Sequence, residues 1–354
     1  MKKRLVFPLF NMLVGAVLGA VIGYYISRPG LSLLLGALGG LALGLLAEFL
    51  LGRLDLAHWL YRRRVLLLVL LEIPLAVFVV GPYAYVIVEA RPDPHPICCE
   101  TPLDYGAATY EDVQILTADG VTLAGWYVPP RRPPGPVIVL LHGARSDRRG
   151  AAWHARQLIE AGYGVLLYDQ RSLGESTGDK VSFGWDGPDL LAVVDDLAGR
   201  PEVDPDRIAA VGLSGGGHIA LNAAYLAPDR LAALWLDGIQ AQQIADFPEA
   251  QNAGESFATL INAQILKMAE FHQGRPAPPA FVRILAKLDR PPLVIIAGGL
   301  DDFERRVSRN YAGVIGPNAR LWLIDQAGHV GGPAVMPDEY RRQMLDFFQT
   351  TLGQ

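Results

Sequence analysis

The stretch Ile208-Ala209-Ala210-Val211-Gly212-Leu213-Ser214-Gly215-Gly216-Gly217-His218-Ile219-Ala220-Leu221-Asn222-Ala223-Ala224 decides how this chain is read. It opens with a short apolar run, as in a strand buried on both faces of a sheet. It closes with a run suited to a helix. Between them, Gly212-Leu213-Ser214-Gly215-Gly216 matches G-x-S-x-G. A serine at a sharp strand-to-helix turn is exposed and strained, and glycines beside it keep side chains out of the strand and helix. The pattern alone is weak, because Gly174-Glu175-Ser176-Thr177-Gly178 matches it too. Ser176 has no strand before it and no helix after it. It reads as a loop residue, and Ser214 as the candidate nucleophile.

A serine hydroxyl needs a base. Of the seven histidines, His329 follows the last expected strand in Gln326-Ala327-Gly328-His329. The chain order nucleophile, acid, histidine favours it. His142 ends an apolar run and should hold its loop, and His218 should pack one turn below Ser214. The acid is expected after the strand Leu293–Ala297, in Gly298-Gly299-Leu300-Asp301-Asp302. Asp301 is preferred, with Asp302 as the alternative. Asp325 reads as structural. Two backbone N–H groups should bind the developing oxyanion, one from Gly215 and one from Ala144, with Arg145 as the lesser choice.

Outward from this core, short apolar runs alternate with helical segments. Val113–Leu116 and Thr122–Tyr127 flank Asp119-Gly120, a hairpin signal. Pro136–Leu141, Gly164–Tyr168, Ile208–Leu213, Leu231–Leu236, Leu293–Ala297 and Leu321–Ile324 read as strands. The alternation implies an α/β, doubly wound, mostly parallel sheet over residues 109–354. Residues 240–290 interrupt it, with a helix expected near 255–272, and read as a small helical cap insertion.

Residues 1–90 differ in kind. They carry a formal charge of +4, and the remainder carries −9. Apolar stretches at 5–26, 31–52 and 65–88 contain no charge, Glu48 and Glu72 respectively. Each has the length to cross a bilayer, so this part is expected to be a helical transmembrane region. Lys2, Lys3 and Arg4 precede the first stretch, and Arg53, Arg62, Arg63 and Arg64 separate the second and third. This bias places both basic segments in the cytoplasm and residues beyond 88 outside it, as a multi-pass plasma-membrane protein. Gly15, Gly19 and Gly23, and Gly36, Gly40 and Gly44, repeat every four residues. Such spacing suits a close-packed helical hairpin. Residues 91–108 contain Pro92, Pro94, Pro96 and Pro102 and read as an extended linker. Cys98 and Cys99 are the only cysteines. They exclude a disulfide framework and a four-cysteine zinc site, and read as linker residues without a role. The acidic remainder argues against nucleic acid as a partner.

Several segments then fall into a recognisable order. These are the Leu-His-Gly-Ala run ending at Ala144, Tyr168-Asp169-Gln170-Arg171 with Gly174-Glu175-Ser176, the Ser214 elbow, Gly298-Gly299-Leu300-Asp301, and Ala327-Gly328-His329. The domain resembles an α/β-hydrolase over about two thirds of the chain. It is similar to the esterase/lipase and serine-aminopeptidase-like groups, which include membrane-tethered members. The resemblance implies a catalytic triad of Ser214, Asp301 and His329, a structural Asp169–Arg171 segment, and no metal or cofactor. The expected activity is hydrolysis of a carboxylic ester, in a small and lipophilic acyl substrate, through an acyl-enzyme. A serine peptidase or amidase, an acyltransferase, and a non-catalytic binding protein are the alternatives.

Overall fold

The computed structural model describes residues 73–353 and isolated residues at 8, 9, 11, 12, 15, 16, 38, 40–42, 45 and 49. The chain divides into two compact units. One comprises Met1–Glu89 with Gln251–Arg275, and the other Ala90–Ala250 with Pro276–Gln354.

In the first unit, the stretches expected to span at 5–26 and 31–52 lie outside the described residues apart from those isolated positions. So does the start of the third stretch, 65–72. A side chain added at Gly40 would collide with the Asn11 carbonyl and sit 3.3 Å from the Gly15 Cα. Small residues are what let helix backbones approach so closely. From Ile73 the chain is helical. A π-helical turn at Ala76–Val80 leads into α1 (Gly81–Glu89). Pro82 has no N–H for the helical ladder, and a widened turn beside it is one way a helix accommodates that. Among the described residues, no helix is long and apolar enough to cross a membrane.

The second unit is built on an eight-stranded sheet. Its strands are β1 (Glu111–Leu116), β2 (Thr122–Val128), β3 (Gly135–Leu141), β4 (Gly164–Tyr168), β5 (Val203–Leu213), β6 (Leu234–Asp237), β7 (Leu293–Gly298) and β8 (Ala319–Ile324). Their order across the sheet is β8-β7-β6-β5-β3-β4-β2-β1. β1 and β2 form the expected hairpin, and β2 runs antiparallel to β4. The remaining pairs are parallel. β3 and β4 are buried along their full length, as coverage on both faces requires. One apolar cluster gathers around Val139, Val193 and Leu236, and a second around Leu140, Val211 and Trp235. Alternate residues of each strand feed the two, so they lie on opposite faces of the sheet.

The connecting helices are α2 (Ala152–Ala161), α3 (Gly187–Ala198), α4 (Gly215–Leu226), α5 (Ala253–Gln273), α6 (Phe281–Leu285), α7 (Asp302–Ala312), a short α8 (Gly332–Val335) and α9 (Pro337–Leu352). α5 is the helix expected within the insertion. Asn252 caps its start by accepting from the Glu255 N–H, and Gly274 ends it in the left-handed region at φ 70°. Gln251–Arg275 falls in the N-terminal unit, and the two flanks of the insertion in the sheet unit. α6, in the second flank, buries Phe281, Ile284 and Leu285 in the core rather than forming part of a cap.

Two expectations require correction. Residues 91–108 are not a free linker, because the sheet unit begins at Ala90. The Asp93 and His95 N–H groups donate to the Ser172 and Gly174 carbonyls, each at 2.8 Å. His95 Nε2 lies 3.2 Å from Asp147, and Tyr105 is buried. Prolines hold the segment extended, and an extended backbone can donate to a neighbouring edge. Cys98 and Cys99 are joined to each other as a disulfide.

Candidate active site

β5 ends at Leu213 and α4 begins at Gly215. Ser214 between them has φ 51° and ψ −116°, a strained conformation for a non-glycine residue. Its N–H donates to the Asp237 carbonyl at 2.7 Å, and its carbonyl accepts from the Gly217 N–H at 2.9 Å. The flanking glycines are demanded by space. A Cβ at Gly212 would lie 2.5 Å from the Gly217 Cα, and one at Gly216 would run into the end of β3 at the Leu141 carbonyl.

His329 follows β8, and its Nε2 stands 2.9 Å from Ser214 Oγ. Its Nδ1 stands 2.5 Å from Glu304 Oε2. Glu304 is fully buried in the first turn of α7, and its Oε1 accepts from the Gly298 N–H at 2.7 Å. The carboxylate is thus fixed at the end of β7 while its second oxygen faces the imidazole. This hydrogen bond is the main reason the His329 pKa is raised above 6.5, with burial opposing it. Gly238 makes room for the ring. It has φ 74°, and a Cβ there would lie 2.9 Å from His329 Cε1.

The carboxylate that meets His329 is therefore Glu304, not Asp301 or Asp302. Asp301 is the N-cap of α7, and its side chain accepts from the Glu304 N–H at 3.0 Å. Asp302 is paired with Arg305 on the outer side of the helix. A glutamate reaches one methylene further than an aspartate, so it can serve from inside the first turn. The signal was present as Asp301-x-x-Glu304, in which the first residue caps the helix and the fourth occupies its third position.

The backbone at Ala144 adjoins the elbow. A Cβ at Gly215 would lie 3.4 Å from the Ala144 N, so the two expected N–H positions are neighbours. Arg145, next in the chain, has φ 55°, and Val330, next to His329, has φ 52°. Left-handed conformations are costly for such residues and cluster at functional sites. His142 is buried beneath this loop. Its Nε2 accepts from the Gln170 N–H at 3.0 Å, and burial lowers its pKa. His218 accepts from the Gln240 N–H at 3.2 Å, and burial lowers its pKa to about 4.

The rival Ser176 is spent on structure. Its hydroxyl donates to the Asp169 carbonyl at 2.5 Å and accepts from the Ala124 N–H at 2.9 Å. Asp169 and Arg148 form a buried ion pair at 2.6 Å, extended to Glu175 at 2.8 Å. Arg171 is bound by Asp119 and Asp189. One buried acid has no mark in the sequence pattern. Asp237 ends β6, accepts from Tyr340 Oη at 2.7 Å, and is pushed by burial up to about 7.

A sheet of this order, with a serine at the β5–α4 turn and a histidine after β8, defines the class as α/β hydrolase. The Alpha/beta hydrolase family is matched over residues 138–343, more than half of the chain. An uncharacterized Mycobacterium tuberculosis protein, MT2364, is 31% identical over 249 residues, covering 69% of this chain and 81% of that protein. The chain belongs to the alpha/beta hydrolase family. Thiohydrolase aneE of Aspergillus aculeatus is 34% identical over 121 residues, covering 33% of this chain and 37% of that protein. Esterase Pf2001 of Pyrococcus furiosus is similar in structure, with TM-score 0.56 and 25% identity over 74% of this chain and 100% of that chain.

Proposed function

We propose that the protein is a membrane-anchored serine hydrolase that cleaves carboxylic esters. The observation that carries this reading is the hydrogen-bonded chain from Ser214 Oγ through His329 to Glu304. Ser214 Oγ attacks the acyl carbonyl as His329 Nε2 takes its proton. Glu304 holds the Nδ1–H tautomer and stabilises the imidazolium. The Gly215 and Ala144 N–H groups receive the negative charge on the carbonyl oxygen. His329 returns the proton to the leaving alcohol, and a water activated by the same imidazole releases the acid from Ser214.

The esterase among the structural neighbours supports an ester as the scissile bond. Anchoring is supported by the uncharged stretch 5–26 and its counterpart at 31–52, and by the Lys/Arg bias around them. With the third stretch, 65–88, as a further crossing, that bias puts the hydrolase domain outside the cytoplasm.

A panel of acyl esters, matched amides and glycerol as a competing acceptor tests the reaction. Ester hydrolysis by the full chain, abolished in Ser214→Ala, is the expected result. Cleavage of amides alone would make the protein an amidase, and acyl-glycerol as the main product would make it a transferase.

A further inference from the structure

The helix from Ile73 to Glu89 has no charged residue between Ile73 and Val88. Large apolar side chains on it are exposed, among them Leu75 at 50%, Val79 and Val80 at 41%, and Ile87 at 48%. Successive helical residues point about 100° apart. Val79 and Val80 therefore face different directions, and over Ile73–Val80 the exposure runs around the helix, whereas Pro82, Val86 and Val88 further on are buried.

α5 belongs to the same unit. Its Phe257 ring meets Phe78 at 5.9 Å, and its Phe271 ring meets Tyr83 at 6.2 Å. It is uncharged from Ser256 to Leu266. Phe257, Leu260 and Phe271 lie on one face by their spacing and are exposed, Phe271 by 74%. In water this much bare apolar surface would not be left on a folded unit. A partner protein covers one face of a helix, whereas acyl chains cover every side, as the exposure around Ile73–Val80 requires.

We propose that α5, together with the helix before Ala90, is embedded among lipid acyl chains. The inference rests on the anchoring proposed above and extends it to a segment between β6 and β7. The sheet unit is then tied to the bilayer at two places in its chain, before Ala90 and between Ala250 and Pro276. Gln264 and Lys267, which share a face with Leu260 and Phe271 by their spacing, and Asn262 keep α5 from being a span. They suit a helix at the level of the interface, where the Lys267 stem lies along acyl chains and its ammonium reaches the headgroups.

The test places a nitroxide at Leu260→Cys or Phe271→Cys in full-length protein carrying Cys98→Ser and Cys99→Ser. Each variant is reconstituted in vesicles of phosphatidylcholine and phosphatidylglycerol, after fluorophosphonate labelling of Ser214 has certified its fold. Leu116→Cys on β1, exposed in the sheet unit, is the aqueous reference. Collisions with dissolved oxygen several-fold above those with a water-soluble nickel chelate at both positions, and the reverse at 116, are expected. Nickel-dominated collisions at 260 and 271 would overturn the proposal. So would spin–spin broadening between copies with no oxygen preference, which would assign the surface to a second copy. Flotation of the vesicles reads the anchoring separately, so protein that floats with a wet α5 refutes this inference alone.

Discussion

At the scale of single residues, the identity of the acid separates sequence from structure. Ser214 and His329 were legible because their neighbours are constrained: glycines must flank the elbow, and the histidine must follow the last strand. The acid was not, since a carboxylate after β7 can serve from more than one position if its side chain has the length. Glu304→Gln should lower kcat/KM about a hundredfold or more, because a neutral amide no longer stabilises the imidazolium. Asp302→Asn should leave kcat/KM unchanged. Asp301→Ala should lower stability by about 1 kcal/mol through the lost cap. Loss of activity in Asp302→Asn, with Glu304→Gln unaffected, would reverse the assignment. The pH profile follows from the raised His329 pKa. The protonated ring cannot accept the Ser214 proton, so activity falls as pH falls. The midpoint of that limb in kcat/KM should lie above 6.5, and Glu304→Gln should move it down.

At the scale of elements, the glycines after the strands and the buried carboxyl at the end of β6 set the geometry. Gly238→Ala would press a methyl group against His329 Cε1. It should reduce kcat strongly while thermal unfolding shifts by a few degrees, and unchanged kcat would show that the ring has slack. Asp237 loses its proton near pH 7 in the native state and near 3.8 when unfolded. Between those values the native state holds a proton that the unfolded chain has released, so stability falls as pH rises. Asp237→Asn should flatten the dependence of Tm on pH between about 4 and 7. A slope equal to that of the unsubstituted protein would exclude Asp237 as its source. The strand pattern was legible because buried parallel strands are continuous apolar runs. The packing of residues 91–108 was not, because it depends on backbone N–H groups of Asp93 and His95 meeting the Ser172 and Gly174 carbonyls.

At the scale of the whole molecule, the chain is two units whose boundary is not a single point in sequence. Composition divides the chain near residue 90, and the N-terminal segment of the first unit ends at Glu89. Gln251–Arg275 also belongs to that unit. Composition could not reveal this, since α5 is no more apolar than many core helices. Removing residues 1–89 should strip Phe78 and Tyr83 from α5 and leave Phe257 and Phe271 bare. Residues 90–354 alone should aggregate, and replacing 251–275 with a Gly/Ser linker should restore a monodisperse species on gel filtration. Monodisperse behaviour of the unmodified fragment would contradict this division. The central claim is that Ser214 is activated by His329 and Glu304, and it is tested most directly on the intact chain. Fluorophosphonate is applied to the full-length protein, and the modified peptide is mapped by mass spectrometry. Label on Ser214, slowed about tenfold or more in His329→Ala and in Glu304→Gln but not in Asp302→Asn, is the predicted result. Label on another serine, or equal labelling of Ser214 in all three variants, would contradict it.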